Sequence, residues 1–330
     1  MLNSLNETLR QLQRFVGYAE GLGMAFDPSV LIPTQFVATF PLEPLSARLA
    51  CRNEQQEADL NKFRDLAVAA VPVAALSADH DPGCASSPRW QQLLLPGGRR
   101  QELRAALVDA HGRCWGALAL YRRDQTRFSP SDLRATADLL PGRAADLARS
   151  MVAERAPGTP SEPTMLLLDE LGTVLDAPER AVRWMDRVRS GDNLDRVGMV
   201  LASLAARIAS MRQGGEDKTP VRVRVRSSGG TWTTLIAEPF TSESTTALPV
   251  VVMATDFGQL FPLQVAAFSL SDREADLVRQ VLEGLDTKTI ARRLSISVLT
   301  VQDHLKSIFQ KTGVHSRREL MYRLGGTPIP

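Results

Sequence analysis

The sequence predicts a multidomain protein in which two α+β segments precede an all-α unit of four helices. Three observations predict this fold class. The chain of 330 residues exceeds the usual length of a single domain. A proline-rich stretch, Ala156 to Pro163, separates two segments of mixed strand and helix patterns. From residue 266 onward the apolar pattern is helical throughout. The predicted domains are therefore residues 1–155, 164–260 and 266–330.

The first segment contains a hairpin signal followed by a well-marked helix start. Its predicted elements are a helix from Leu2 to Glu20, a helix from Gln55 to Ala69, and strands from Arg104 to Val108 and from Cys114 to Tyr121. Asp-Ala-His-Gly joins the two strands and is typical of a hairpin turn. Ser129 is a good cap for a further helix, with Pro130 at its first position, and this helix is predicted to reach about Glu154.

The second segment reads as a strand, helices and then an antiparallel meander. The predicted elements are a strand from Met165 to Leu168, a turn from Asp169 to Gly172, a helix starting between Asp176 and Glu179, and strands Val221 to Arg226, Thr231 to Ala237 and Pro249 to Ala254, with a turn at Ser228 to Gly230. The first meander strand alternates strictly between valine and arginine. Its stripe of Arg222, Arg224 and Arg226 could suggest nucleic-acid binding. A solvated edge strand carrying charge is the commoner use, and we expect that here.

The third segment is marked by helix caps. Ser271 and Glu274 form a capping-box pattern, and Gly284 supplies a left-handed stop. The second helix is capped by Asp286 or Thr287, and Ser297 is the cap expected for a third helix that ends at Gly313. Ser316 starts a fourth. The predicted inward-facing residues are Leu277, Val278, Val281, Leu282, Leu285, Ile290, Ala291, Leu294, Val301, Leu305, Ile308, Phe309, Leu320, Met321 and Leu324.

The second and third helices are joined by a tight turn, Ser295 to Ser297, and the third has a polar outer face. This shape fits a DNA major groove about 12 Å wide. We therefore expect the third helix to lie on DNA. Spacing alone also allows a small helical bundle with no DNA role, because any such bundle shows caps and amphipathic stripes.

The residues themselves resemble the LuxR/GerE-type helix-turn-helix family over about 50 residues without a gap. The similarity is carried by Leu270-Ser-Asp-Arg-Glu274, Val281-Leu-Glu-Gly-Leu285, Lys288-Thr-Ile-Ala291, Arg293-Leu-Ser-Ile-Ser297, Thr300-Val301, His304-Leu-Lys306, Ile308, Lys311, Gly313-Val314 and Ser316-Arg317. The resemblance implies contacts with double-stranded DNA from Lys288, Ser297, Thr300, Val301, His304, Lys306, Lys311 and Arg317, with Val301 at a position that the family divides between groove and core.

The third helix departs from the family at Val298, Leu299, Gln302 and Asp303, where many members carry proline or basic residues. Residues 270–330 contain ten Lys or Arg against seven Asp or Glu, a balance of only +3. Since phosphate neutralisation supplies most non-specific affinity, we expect modest affinity per subunit. Gln302 is expected to read adenine through its amide, whereas Asp303 would repel phosphate.

The hairpin segment resembles GAF-type sensor domains of LuxR regulators. Asn61-Lys-Phe-Arg-Asp65 and the strand Gly112 to Tyr121 carry this similarity, which implies a small-molecule site between sheet and helices. Phe63, Trp115, Tyr121 and Phe128 are the aromatic candidates for its lining, although aromatic side chains more often serve as ordinary core. The second segment resembles a PAS-like fold, for which dimerisation is at least as plausible a role as sensing.

Composition and motifs restrict the remaining function classes. The net charge is +2 and the apolar content 44%, as in ordinary water-soluble proteins. Cys51, Cys84 and Cys114 are odd in number and lack metal-binding spacing. Together with the lack of a signal peptide and of a long apolar run, this predicts a cytoplasmic protein without membrane contact. The four histidines are scattered, and no catalytic or cofactor motif is found, so neither an enzyme nor a cofactor is predicted.

The sequence therefore predicts a bacterial, DNA-binding transcription regulator without enzymatic activity. Its GAF-like and PAS-like domains would modulate the C-terminal helix-turn-helix, and a homodimer is expected because paired recognition helices read two-fold sites. The alternative is a ligand-binding or protein-interaction module whose helical tail binds DNA weakly or not at all. Leu299 and Asp303 keep this alternative open.

Overall fold

The computed structural model describes residues 1–152, 163–189, 195–214, 219–227, 230–238, 248–254 and 257–325. Within these ranges the chain forms two antiparallel sheets of five strands each, together with helices. The described residues of 1–147, 161–228 and 232–254 belong to one compact unit, and those of 257–325 belong to another. The proline-rich stretch predicted as a linker lies almost wholly outside the described residues.

The first sheet has helices on both faces. Its elements are α1 (Leu2–Phe15), β1 (Glu20–Asp27), β2 (Ile32–Ala38), α2 (Pro44–Gln55), α3 (Phe63–Leu66), β3 (Val73–Ser77), β4 (Gln101–Val108), β5 (Cys114–Arg122) and α4 (Pro130–Val152). The strand order is β2-β1-β5-β4-β3. α1 packs on β1 and β2, while α2 and α3 contribute Ala47, Cys51, Phe63 and Leu66 to a core that also includes Met24, Phe26 and Phe36.

The hairpin and the capped helix of this segment are confirmed. β4 pairs antiparallel with β5, and the Asp109 carboxylate accepts backbone hydrogen bonds from His111 and Arg113 in the turn between them. At the start of α4, Ser129 Oγ accepts from the Asp132 amide at 3.2 Å, and Asp132 Oδ2 accepts from the Ser129 amide at 2.8 Å. The described part of α4 ends at Val152.

Two predicted helices of this segment were wrong in extent. α1 ends at Phe15, because Gly17 adopts a left-handed conformation with φ of 64° and the chain then enters β1. The predicted helix from Gln55 to Ala69 is interrupted, since Asn61 has φ of 48° and only the single turn of α3 follows it. The main helix lies earlier, at α2, where Glu43 caps the helix and Pro44 occupies the first turn.

The second sheet repeats the strand order of the first. Its elements are β6 (Thr164–Leu168), β7 (Val174–Asp176), α5 (Glu179–Arg189), α6 (Arg196–Gly214), β8 (Val221–Arg226), β9 (Trp232–Ala237) and β10 (Leu248–Ala254). The order β7-β6-β10-β9-β8 again places the second strand at one edge and the third at the other. The predicted meander is confirmed by antiparallel pairing of β8 with β9 and of β9 with β10. The turn predicted at Ser228 to Gly230 lies mostly outside the described residues.

Helix α6 belongs to the cores of both sheets. Met199 and Ala202 pack with the residues of the first sheet, whereas Val200 and Leu204 pack with those of the second. α6 also contacts α2 and β2 directly. The two sheets are therefore packed together through a shared helix, which the sequence did not predict. The boundaries at residues 155 and 164 remain a prediction.

The arginine stripe on β8 differs from the solvated edge that was predicted. The Arg224 guanidinium donates to both carboxylate oxygens of Asp27, at 2.9 and 2.7 Å, and the Arg224 amide donates to Asp27 Oδ2 at 2.9 Å. Asp27 lies at the end of β1 and its side chain is 1% exposed. The edge of the second sheet is thus covered by the first sheet, and only Arg222 of the stripe is fully exposed. An edge strand protected in this way presents fewer free backbone groups.

The C-terminal unit is all-α. Its helices are α7 (Phe257–Ala267), α8 (Asp272–Leu282), α9 (Thr287–Leu294), α10 (Val298–Thr312) and α11 (Arg317–Leu320). The capping box of Ser271 and Glu274 is present, Asp286 caps α9, Ser297 caps α10 and Ser316 caps α11, as predicted. Gly284 and Gly313 end α8 and α10 with φ of 82° and 68°.

No helix in the described ranges is both long enough and apolar enough to cross a lipid bilayer.

Candidate functional site

The turn between α9 and α10 fixes the direction of α10. Ser295 ends α9 in the left-handed conformation with φ of 54°, and Ser297 is extended with its side chain accepting from the Thr300 amide at 3.0 Å. Ser297 Oγ and Thr300 Oγ1 are 2.8 Å apart. Two hydroxyls and the backbone amides of the first turn therefore lie together at the N-terminus of α10. Such a helix end is suited to a phosphate oxygen.

The outer face of α10 carries almost no charge. The exposed side chains Leu299, Gln302, Asp303, Lys306 and Gln310 follow helical spacing and share one face. Asp303 and Lys306 are the only ionised groups among these five, so their formal charges cancel. Leu299 is 67% exposed. Lys306 is thus the one cation among these five side chains, and Lys288 is exposed in the first turn of α9.

Three residues that the resemblance places on DNA have internal roles in the structure. Val301 is fully buried on the apolar side of α10, together with Ile308. Family members place this residue either in the groove or in the core, and here it lies in the core. Lys311 Nζ donates to Glu274 Oε2 at 2.6 Å. Arg317 donates to the carbonyl oxygen of Leu285, and burial lowers its pKa. His304 is half-buried.

Glu274 connects the first helix of the unit to α10. Its carboxylate accepts from the Ser271 amide at 2.7 Å, from Ser307 Oγ at 2.7 Å and from Lys311. Burial favours the neutral carboxyl, but the three hydrogen bonds and the Lys311 charge outweigh it and lower the pKa of Glu274 to about 2. This buried carboxylate therefore sets the position of α10 against α8.

A second candidate site is a cavity of about 380 Å³ on the α2 side of the first sheet. Its wall is formed by β1, β2, β4, β5, α2 and the segment from Arg89 to Arg99, with Met199 and Ser203 of α6 completing it. The apolar lining includes Met24, Phe26, Phe36, Phe40, Phe63 and Leu94. This volume lies at the lower end of the range of small-molecule sites.

Two of the aromatic residues predicted for a pocket line this cavity. Phe63 stacks on the guanidinium of Arg104, 3.7 Å from the ring centre, and burial raises the pKa of Tyr121 above its usual value. Trp115 is not among the lining residues. It is the extra residue of a bulge where β5 pairs with β4, and its indole N–H donates to Asp109 at 2.7 Å. Phe128 packs below the Arg122 guanidinium instead.

The sequence did not single out the charged residues of the cavity. Glu102 and Arg104 lie two residues apart within the apolar strand β4, and both are nearly fully buried. Ionised side chains at alternate positions of a buried strand are an informative signal, because charged groups are rarely buried without a partner. That signal was available in the sequence.

The thiols have packing roles rather than reactive ones. Burial raises the pKa of Cys51 to about 11 and that of Cys114 to about 12. Cys114 Sγ lies 3.2 Å from the carbonyl oxygen of Gly116. A thiol with so high a pKa holds little thiolate near neutral pH, so it is a poor sensor of oxidants.

Residues 268–324 match the family model of bacterial regulatory proteins, luxR family. Two curated regulators are similar over the same unit. The monoamine regulon transcriptional regulator of Klebsiella aerogenes is 48% identical over 54 residues, which are 16% of this chain and 24% of that protein. The nitrate/nitrite response regulator protein homolog of Haemophilus influenzae is 47% identical over 49 residues, 15% of this chain and 24% of that protein. The chain thus spans about a quarter of the length of these relatives.

A solved GAF domain is similar to part of the chain. The GAF domain of a two-component sensor histidine kinase from Bacillus halodurans has 13% sequence identity and a TM-score of 0.28, covering 44% of this chain and 93% of that domain. The C-terminal unit of the present chain is a LuxR-type helix-turn-helix domain.

Proposed function

We propose that this protein is a dimeric, DNA-binding transcription regulator whose two sheets sense a small molecule. The observation that carries the proposal is the LuxR-type unit at residues 268–324, in which α10 presents a free outer face and a hydroxyl-lined N-terminus. These features suit a helix that enters the major groove and contacts phosphate with its first turn.

The positions proposed to touch DNA fall into two groups. Lys288, Ser297, Thr300 and Lys306 contact phosphates, and Gln302 and His304 contact base edges or the backbone. Lys311 acts mainly by holding α10 against α8, and Arg317 by holding α11 against the turn after α8, because their polar groups are engaged with Glu274 and Leu285. Since the outer face of α10 is nearly neutral, tight binding requires two copies of the unit on one site.

The finer domain assignment is also a proposal. We infer that the first sheet is a GAF-like sensor domain, with its cavity as the ligand site, and that the second sheet is PAS-like. The shared strand order of the two sheets and the cavity support this assignment. In this mechanism an occupant of the cavity favours one arrangement of the subunits and so changes how two α10 helices meet DNA.

Fluorescence anisotropy of the full chain with labelled genomic fragments tests the DNA function. We expect saturable binding. The logarithm of the association constant should fall steeply as the logarithm of the salt concentration rises. A flat signal even at low salt would contradict the proposal and support the protein-interaction alternative. Native mass spectrometry of the same sample reports the oligomeric state.

Lys306→Ala is the sharpest variant for the placement of α10. We expect weaker binding to all fragments and a salt slope reduced by about 1 per subunit, because one phosphate contact is lost. Arg127→Ala is the matched control, since Arg127 is an exposed arginine of the sheet unit. If the Lys306 variant binds and responds to salt as the control does, α10 does not lie on DNA as proposed.

A further inference from the structure

Three arginines line the cavity of the first sheet, which at first suggests an anionic ligand. Each of them already has a carboxylate partner. Arg89 pairs with Glu102 at 2.8 Å, Arg104 with Glu54 at 2.6 Å and Arg99 with Glu20 at 2.7 Å. The Arg89 and Glu102 side chains are 6% and 1% exposed, and that of Arg104 is 4% exposed. An anionic ligand would have to displace a buried carboxylate, and a cationic one a buried guanidinium, at high cost in free energy.

The same side chains have hydrogen-bonding capacity that the protein does not use. Arg89 Nε, Arg104 Nε and Glu102 Oε1 are buried and make no hydrogen bond within the described part of the chain. Two of these atoms are donors and one is an acceptor. Buried polar atoms are nearly always partnered in folded proteins, so three orphans among the lining residues of one cavity indicate a missing partner.

Much of the remaining wall is apolar and aromatic, although Glu43, Ser46, Gln55, Gln92 and Ser203 also line the cavity. The apolar lining includes Phe36, Phe40, Met24 and Leu94, and the Arg99 guanidinium carbon lies 4.6 Å from the centre of the Phe40 ring. Removing apolar ligand surface from water against such a wall is favourable. The cavity therefore combines an extensive apolar wall with the buried, charge-balanced group of Arg89, Glu102, Arg104 and Glu54.

We propose that this cavity binds an uncharged, largely apolar small molecule whose single polar end carries both a hydrogen-bond donor and an acceptor. The donor serves Glu102 Oε1, and the acceptor serves the Nε groups of Arg89 and Arg104. Amides, lactams and hydroxylated heteroaromatic rings have this chemistry. The inference names a ligand class for the sensing role proposed above and rests on that role.

Four probes of similar size test the proposal on the full chain. Benzamide has the proposed polar end, benzoate is its anionic counterpart, benzylamine is cationic and toluene has no polar group. Saturation-transfer NMR and calorimetry measure their binding. We expect a dissociation constant of about 1 mM for benzamide, as is usual for ligands of this size. The other three should bind at least about tenfold more weakly than benzamide. Each of them leaves buried polar groups unpaired or adds an unpaired charge.

A variant of α2 locates the binding. Ala50 lines the cavity and is exposed, so Ala50→Trp should block the cavity and abolish benzamide binding without disturbing the core. Leu45→Trp is the matched control on the same helix, because Leu45 is 54% exposed and is not a lining residue. The control should bind benzamide as the wild type does.

A second variant reverses the charge preference. Glu102→Gln removes the carboxylate beside Arg89 and keeps the shape of the side chain. We expect benzoate to bind about tenfold more tightly than it binds the wild type, because Arg89 then lacks a counter-charge. Asp79→Asn is the control, since Asp79 pairs with Arg100 away from the cavity.

The wild-type probe series and the Ala50 variant decide the proposal even if the Glu102 variant fails to fold. Equal or tighter binding of benzoate or toluene, binding that survives Ala50→Trp, or no benzamide binding up to its solubility limit would overturn it. The ligand-binding measurements are made without DNA. A failure of the ligand proposal therefore does not affect the anisotropy test of DNA binding. A protein that binds benzamide but not DNA would contradict only the regulator function.

Discussion

At the scale of single residues, the C-terminal unit depends on one buried carboxylate. Glu274 completes the capping box of α8 and also receives Lys311 and Ser307 from α10. Its pKa of about 2 lies below the ordinary value of 4.5, so the folded state favours the ionised form. The stabilisation is fully present above the unfolded pKa and is lost as pH falls from about 4.5 towards 2.

Glu274→Gln should remove this pH dependence. We expect it to lower the free energy of unfolding by about 2 kcal/mol near neutral pH, because hydrogen bonds to a charged group are lost. Below about pH 2 the variant and the wild type should be similar. Urea unfolding followed by circular dichroism measures the difference at each pH. Glu283→Gln is the control, because Glu283 is 57% exposed and pairs only at the surface with Arg293. Equal pH profiles for the Glu274 variant and the wild type would refute this role.

Residue-level prediction from sequence succeeded where a role is local. The capping serines and the exposed polar residues of α10 were identified from their own neighbours in the chain. It did not predict the hydrogen bonds of Lys311 and Arg317, whose partners are remote in sequence, or that of Trp115 at a bulge; the DNA contacts of Lys311 and Arg317 remain a prediction. The sequence shows that Lys311 is basic, but it does not show that a buried carboxylate of the same chain is its hydrogen-bond partner.

At the scale of elements, the N-terminus of α10 has two roles that one substitution can separate. Ser297 caps the helix and is also proposed to contact phosphate. Ser297→Asp keeps a good cap but adds a negative charge beside DNA, so it should preserve stability and abolish binding. Ser297→Asn caps equally well without charge and is the matched control.

Ser297→Ala completes the series by removing the cap itself. We expect a loss of about 1 kcal/mol in the free energy of unfolding, together with weaker DNA binding. Thermal unfolding and anisotropy on the same preparations distinguish the two effects. Full DNA binding by the Asp variant would show that no phosphate lies near this helix end.

Elements with local start and stop signals were predicted well, and those defined by tertiary packing were missed. α8, α9 and α10 have caps at both ends, and the β4–β5 hairpin has a turn that specifies it. α6 was not predicted, because it is buried against two cores and so lacks a polar face to reveal its period. β1 and β2 were also missed, since both are buried nearly throughout and show little alternation.

At the scale of the whole molecule, the pair of Asp27 and Arg224 connects the two sheets. Asp27 is fully buried and accepts from the backbone and the side chain of Arg224. Asp27→Asn should lower the free energy of unfolding by about 3 kcal/mol, because the buried ion pair between Asp27 and Arg224 is then lost. Denaturant unfolding followed by tryptophan fluorescence, to which Trp184 of α5 and Trp232 of β9 contribute, measures this loss.

Arg222→Met is the matched control for that variant. Arg222 lies on the same strand two residues away and is exposed, so its replacement should change stability by only a few tenths of a kcal/mol. An Asp27 variant as stable as this control would show that the ion pair does not hold the second sheet in place.

Helix α6 has a consequence for how the protein could respond to an occupant of its cavity. Met199 and Ser203 form part of the cavity wall, and the next turn of the same helix packs in the core of the second sheet. A molecule in the cavity would therefore contact a helix that packs in the cores of both sheets. By thermodynamic linkage, any effect of cavity occupancy on the packing of α6 is matched by an equal effect of that packing on the free energy of binding.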